Sequence, residues 1–227
     1  MTMEANVSGS CYIVGAGEFC SGEMPGQGDY IIAADGGFAS LAAFGIEADL
    51  VIGDFDSLGI VPSHPNVIIS SPEKNDTDVM LAVRKGLALG YKSFLINGGM
   101  GGRPDHTLAN IQVLLYLANN GANGVLIGSP MCVTIVKDGS IRFPTNVPGG
   151  LISVFCAGER ADGVALKGLK YPLDDVTLTN EYPLGISNEF TGVPATVVVD
   201  GGALIVLWEG SAEAVSFEGN CLLQRHD

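Results

Sequence analysis

Positive charge is scarce in this chain. Its 227 residues carry 11 Lys and Arg against 25 Asp and Glu, a formal net charge of −14, with only three histidines. Proteins that hold nucleic acid neutralise phosphates with clustered Lys and Arg. No basic run occurs here, so nucleic acid is not an expected partner. Charge of either sign is sparse at 16%, whereas 47% of residues are hydrophobic, enough to bury a sizeable core in one large or two small domains. The acidic excess is spread over both halves and is explained by general solubility. The five cysteines (Cys11, Cys20, Cys132, Cys156 and Cys221) are odd in number and include no Cys-x-x-Cys pair. That argues against a disulfide framework or a zinc site and for reduced, structural thiols. Met1 to Ser10 lacks the basic and apolar regions of a signal peptide, and no apolar run has the length of a membrane span. The expectation is a cytoplasmic protein with no membrane partner.

What the chain does have is glycine, 32 residues of it, and acids placed beside glycines at the ends of apolar runs. The central stretch is Gly53-Asp54-Phe55-Asp56-Ser57. It follows Ala48 to Ile52, which reads as a buried strand. Two carboxylates one residue apart point to opposite faces of an extended chain, but where the chain turns both can converge. Paired like charges repel, and a divalent cation such as Mg2+ or Mn2+ relieves them. The plainer alternative is a solvated Asp-rich turn. Further acidic motifs weigh against it.

In chain order, Cys11 to Val14 reads as a strand that ends in Gly15-Ala16-Gly17. A dinucleotide fingerprint would need a third glycine where Cys20 stands, so a bare strand and turn is the better reading. Tyr30 to Ala34 is a second strand, ending in Asp35-Gly36-Gly37. Residues 38–45 form a short helix with Leu41, Ala42 and Phe44 inward. Val67 to Ile69 is a further strand. Ser71 to Asp78 opens a helix capped by Thr77 or Asp76, with Val79, Ala82, Val83, Gly86 and Leu87 at helical spacing and a stop at Gly90. One cap needs one acid, so Asp76, Asp78 and Lys74 together suggest more than capping. Phe94 to Ile96 is a strand that runs into Asn97-Gly98-Gly99-Met100-Gly101-Gly102-Arg103-Pro104-Asp105-His106. Glycines let a backbone approach a ligand closely, and the helix that follows, Pro104 to Asn119, offers its N-terminal N–H groups to an anion. Its buried stripe is expected at Leu108, Ile111, Leu115 and Ala118. Arg103 suits phosphate oxygens. His106, at a helix N-terminus, suits a neutral hydrogen-bonding role. The loop lacks the Gly-Lys-Ser/Thr ending of a Walker A motif.

Val125 to Ile127 is a sixth strand, after which the texture changes. Met131–Val136, Ser140–Phe143, Leu151–Phe155, Val176–Leu178, Ala195–Val199 and Ala203–Leu207 are short apolar runs between turn residues. The spacing predicts a β-sandwich or barrel of hairpins, with turns at Asp138-Gly139 and Asp200-Gly201-Gly202. The domain boundary is placed near Pro130, giving an α/β domain over 1–130 with a mainly parallel, Rossmann-like sheet, and an all-β domain over 131–227.

Taken together, Ala34-Asp35-Gly36-Gly37, Gly53 to Ser57, Lys74-Asn75-Asp76-Thr77-Asp78 and Gly98 to His106 resemble, in order and spacing, the motifs of thiamine pyrophosphokinase (thiamine diphosphokinase). Gly168-Leu169-Lys170-Tyr171-Pro172-Leu173 and Gly185-Ile186-Ser187-Asn188-Glu189-Phe190 are similar to that family's two β-domain motifs. The resemblance runs from about Tyr12 to Trp208. It implies an ATP- and Mg2+-binding catalytic domain, a β-sandwich that binds thiamine and dimerises, and a homodimer with the site between subunits. It also implies pyrophosphoryl transfer from ATP to the thiamine hydroxyl, giving thiamine diphosphate and AMP. Asp35, Asp54, Asp56 and Asp78 would hold Mg2+. Lys74 and Arg103 would contact the triphosphate above Gly98, Gly99, Gly101 and Gly102. Asp105 would orient Arg103, touch the metal or cap the helix. Ser187 and Asn188 of the partner subunit would bind thiamine. One departure is Met80, where relatives carry an acid.

Two alternatives stand beside this reading. Asp54-Phe55-Asp56 mimics the Asp-x-Asp start of haloacid-dehalogenase phosphatases, which also need a later lysine and a second acidic pair behind a strand; Asp174-Asp175 is the nearest match. The other is a non-catalytic thiamine- or nucleotide-binding relative of the kinase, which would be expected to lose some of the acids.

Overall fold

The computed structural model describes residues 9–55, 59, 61–70, 76–144, 146–213 and 215–219. Strands dominate, with three helices among the described residues. The chain divides into two compact units, Met1–Val113 with Leu126–Gly128, and Leu114–Val125 with Ser129–Asp227.

The first unit is organised on parallel strands. β1 (Cys11–Val14) lies between β2 (Tyr30–Ala34) and β5 (Ser93–Asn97). β3 (Leu50–Gly53) pairs with β2, and β4 (Val67–Ile69) pairs with β3. β1 and β3 are buried along their whole length, as unbroken apolar runs are when both sheet faces are covered. α1 (Gly37–Ala43) and α2 (Asp78–Ala88) lie against these strands. Thr77 caps α2, its hydroxyl accepting the Met80 N–H at 3.2 Å. Asp76 instead pairs with Arg84 at 2.6 Å.

Two helical faces differ from expectation. In α1, Gly37 and Leu41 are buried, whereas Ala42 and Phe44 are exposed; Phe44 packs on Phe19, with ring centroids 4.9 Å apart. In α3 (Pro104–Asn119), the buried positions are Asn110, Val113, Leu114, Leu117 and Ala118, and Leu108 is 64% exposed. The stripe is rotated by about one residue because a polar side chain, Asn110, sits on its inner face. β6 (Asn123–Ile127) follows.

The second unit is antiparallel. β7 (Met131–Phe143), β8 (Leu151–Cys156) and β9 (Arg160–Lys167) all pair with the long β12 (Ala195–Glu209). β10 (Leu173–Thr179) adds to β9, β11 (Gly185–Glu189) to β8, and β13 (Ser216–Glu218) to β7. The two expected hairpin turns are not turns. Asp138-Gly139 lies inside β7 and Asp200-Gly201-Gly202 inside β12, facing each other at a register shift between Val199 and Ala203. The Asp138 carboxylate accepts the Gly202 N–H at 2.9 Å. Turn-type residues here form a bulge, which bends a long strand without ending it. The core includes Trp208, set edge-on to Phe143 at 5.5 Å, and Phe143 tilted on Phe190 at 5.2 Å.

Candidate functional site

The parallel strands of the first unit deliver their C-terminal ends to one edge, where open α/β sheets bind ligands. β2 ends in Asp35, which takes a left-handed φ of 47°. Its N–H donates to the Ile52 carbonyl at 2.8 Å, tying it to β3. β3 ends in Gly53. A Cβ at Gly53 would lie 3.1 Å from the Asp35 Cα, so a side chain before Asp54 would press on the backbone that carries Asp35. Phe55 then anchors the turn, 2% exposed and at φ 58°. A bulky residue in that conformation is strained, and such strain gathers at functional turns. Ser70 links the third acid: its N–H donates to the Gly53 carbonyl at 2.9 Å and its hydroxyl to Asp78 Oδ1 at 3.4 Å. Asp35, Asp54 and Asp78 are thereby brought to one edge. Asp56 and Lys74 lie outside the described residues, and among the described residues no three His, Cys, Asp or Glu side chains cluster to hold a metal ion.

Asp35, Thr77 and Asp78 line one wall of a cavity of about 420 Å3. Ala16, Gly17 and the glycine loop line another, and Arg103, His106 and Asn110 complete it. The four carbonyls from Asn97 to Met100 are tied back. Asn97 O accepts from Gly15 N at 2.8 Å, Gly98 O from Gly17 N at 2.8 Å, and Met100 O from Glu18 N at 3.1 Å. Gly99 O accepts from Asn110 Nδ2 at 2.7 Å. Gly98, Gly101 and Gly102 have φ of 66°, 80° and 70°. Among the described residues, the N–H groups of Gly99, Met100, Gly101 and Gly102 make no hydrogen bond. Bound carbonyls and open N–H groups make an anion-binding concavity. The Gly15-Ala16-Gly17 turn is therefore the brace of this loop: a Cβ on Gly17 would sit 2.6 Å from the carbonyl oxygens of Gly98 and Met100.

Arg103 meets Asp105 through two hydrogen bonds, Nε to Oδ1 at 3.1 Å and Nη2 to Oδ2 at 2.5 Å. The pair raises the guanidinium's pKa and holds the Asp105 carboxyl below its ordinary value. Both side chains remain exposed. Of the three roles open to Asp105, the structure displays the orienting one, and the same carboxylate also accepts the His106 N–H at 3.1 Å.

Beneath the cavity, buried Asn97 knits the strand ends. Its amide donates to Tyr12 Oη, Cys20 O and Glu23 O and accepts the Cys20 N–H at 2.9 Å. Burial raises the Tyr12 hydroxyl to about 12. Sequence reasoning passed over Asn97 and Asn110. Each is a polar residue beside an apolar run, and in Asn110 the break in the helical stripe was the available signal.

In the second unit, Asn188 is buried, 3% exposed. Its Oδ1 accepts the Tyr171 N–H at 3.0 Å and its Nδ2 donates to the Tyr171 carbonyl at 2.7 Å. Ser187 is exposed at φ 56°, with its N–H on Ser153 Oγ at 3.1 Å. Lys170 pairs with Glu189 at 2.8 Å and lies 5.4 Å from the Tyr171 ring centre. The motifs around residues 168–173 and 185–190 are thus joined. Asp174 and Asp175, needed by the phosphatase alternative, are exposed on β10 of this unit.

Comparison with known proteins identifies the family. Residues 24–126 match the family model described as thiamin pyrophosphokinase, catalytic domain, and residues 139–204 match thiamin pyrophosphokinase, vitamin B1 binding domain. A thiamine pyrophosphokinase of Bacillus subtilis is 30% identical over 182 residues, 78% of this chain and 85% of that protein. The crystal structure of thiamine pyrophosphokinase from Bacillus subtilis superposes with a TM-score of 0.77 at 26% identity, covering 89% of this chain and 100% of that one. Yeast thiamin pyrophosphokinase shares the fold, with a TM-score of 0.70 at 15% identity over 93% of this chain and 89% of that one. Matched in order along both halves, the chain belongs to the thiamin pyrophosphokinase family.

Proposed function

We infer that the protein is a thiamine pyrophosphokinase, transferring the pyrophosphoryl group of ATP to the thiamine hydroxyl to give thiamine diphosphate and AMP. The observation that carries the site assignment is the glycine loop, with its carbonyls bound inward and its N–H groups open on a cavity that acids also line. In the reaction the hydroxyl oxygen bonds to the β-phosphorus, the bond from that phosphorus to the α,β-bridging oxygen breaks, and AMP leaves. Catalysis then rests on position and charge neutralisation. The loop N–H groups and Arg103 hold phosphate oxygens, and Asp105 fixes the guanidinium plane for a two-pronged contact.

Mg2+ fits the residues present. It takes one or two carboxylates, with waters and phosphate oxygens completing an octahedron, so a cluster of three acids is not required. Asp35 and Asp78 on the cavity wall would hold it, with Asp54 at the end of the neighbouring strand as a third candidate and Asp56 as a fourth by sequence. When bound, the ion neutralises charge on the phosphate oxygens.

The first unit is the nucleotide domain, on a Rossmann-like parallel sheet, and the second is the thiamine-binding sandwich. The active species is a homodimer in which the second unit of one subunit serves the cavity of the other. Supporting this, Tyr171, Leu184 and Ile186 expose apolar surface beside Ser187, as an interaction face does. Ser187 touches thiamine, and Asn188 acts through Tyr171. The four described cysteines are free, in keeping with a reducing, cytoplasmic setting. Among the described residues no helix is long and apolar enough to cross a membrane. Product analysis tests the function: AMP and thiamine diphosphate should form in equal amounts with Mg2+ and cease with EDTA. ADP would place the attack at the γ-phosphorus, and free phosphate would restore the phosphatase alternative.

A further inference from the structure

The four carbonyls from Asn97 to Met100 have four different donors, and only one is a side chain. Gly15, Gly17 and Glu18 give backbone N–H groups, which any residue supplies. The Gly99 carbonyl depends on Asn110 Nδ2, at 2.7 Å in a buried contact. Asn110 is 5% exposed and lies on the inner stripe of α3 among Val113, Leu114 and Leu117, where an apolar residue would be expected. A polar side chain persists in such a place when its hydrogen bond has no substitute. Here the bond fixes one peptide of the loop that lines the cavity.

We propose that Asn110 is a positioning residue for the nucleotide, locking the Gly99 peptide so that its carbonyl oxygen is held away from the phosphates. Without that donor the Gly99 oxygen is left buried and unsatisfied, or the peptide rotates and brings a partial negative charge toward the triphosphate. Either outcome weakens ATP binding. Thiamine, bound through the other unit, is untouched. This inference rests on the reading of the cavity as the ATP phosphate site.

The experiment is calorimetric titration with ATP and Mg2+ of the full chain, its Asn110→Leu variant, which keeps the branched four-atom side-chain shape and removes the donor, and its Asn110→Asp variant, together with the Michaelis constants for both substrates. Asn110→Leu should weaken ATP binding about tenfold or more with the thiamine constant within twofold. Asn110→Asp should be weaker still at pH 8 and recover part of the loss toward pH 6, because a protonated carboxyl again donates to Gly99. That recovery is measured relative to the unsubstituted chain at each pH and remains readable if Asn110→Leu does not fold. Equal ATP affinity in the original chain and Asn110→Leu, or no relative recovery in Asn110→Asp, overturns the positioning role alone. An original chain that takes up no ATP overturns the phosphate-site reading and this inference with it.

Discussion

Asn188 holds Tyr171 by both ends of one residue, accepting its N–H at 3.0 Å and donating to its carbonyl at 2.7 Å. The same Oδ1 also accepts the Glu189 N–H at 2.9 Å. With its amide so engaged and 3% exposed, Asn188 joins β11 to the segment before β10. Asn188→Ala is expected to destabilise the protein by about 1–3 kcal/mol, the cost of leaving buried backbone groups unsatisfied, measured by urea denaturation. Ser187→Ala, at an exposed position, should leave stability unchanged and raise the thiamine Michaelis constant. Equal stability of the two variants would contradict this division of roles.

The carboxylates assigned to the metal should behave differently. Asp54→Asn and Asp78→Asn are each expected to lower turnover about 100-fold or more, the scale of losing a group that neutralises phosphate charge. Melting temperatures should stay near the original. Near-normal turnover in either variant would remove that residue from the metal site.

Arg103 and Asp105 form an exposed pair, and exposed pairs add little to stability. Arg103→Ala should therefore melt as the original does while its Michaelis constant for ATP rises about tenfold, the loss of a charge-assisted phosphate contact. Asp105→Asn keeps the guanidinium but loosens it, so a smaller rise is expected. A thiamine constant that rises in step with that for ATP would argue against a phosphate role.

Burial sets a pH limit on the first unit. The Tyr12 hydroxyl is raised from 10.0 to about 12, and the Cys11 thiol from 9.0 to about 12. A raised acid means the folded state keeps its proton while the unfolded chain loses it. This stability is intact below the unfolded values and is lost as pH climbs through about 9 to 12. Tyr12→Phe removes the tyrosine share. Its melting temperature should start lower at neutral pH, by the hydrogen bonds lost to Asn97 and Glu23, and fall less between pH 10 and 12. Parallel curves for the two proteins would contradict the assignment.

The parts of the fold legible in the sequence were those where one signal acted alone. Cys11–Val14 and Tyr30–Ala34 are continuous apolar runs closed by glycine or Asp-Gly, and the structure has strands there with those bounds. The α3 bounds follow from Pro104 and the helical period, but its face did not, because Asn110 occupies a core position to serve Gly99. In the second unit, bulges defeated the turn rule: Asp138-Gly139 and Asp200-Gly201-Gly202 carry turn chemistry inside strands of 13 and 15 residues. Polar, glycine-bearing stretches hid β9 and β11, whose alternation is weak. At the candidate site, Asp35 and the glycine loop were recognisable as an acid and glycines at strand ends, and Asp78 as an acid in the first turn of a helix. The brace at Gly15-Ala16-Gly17 and the polar anchors Asn97 and Asn110 were not, since their roles lie in contacts far along the chain.

The most direct test of the central claim, attack at the β-phosphorus of ATP held against the glycine loop, uses ATP labelled with heavy oxygen at the α,β-bridging position and mass analysis of the products formed with thiamine and Mg2+. The label is expected to leave with AMP, because the bond broken is that between the β-phosphorus and the bridge. Label carried into thiamine diphosphate as its own bridging oxygen, or products of ADP alone, would contradict it.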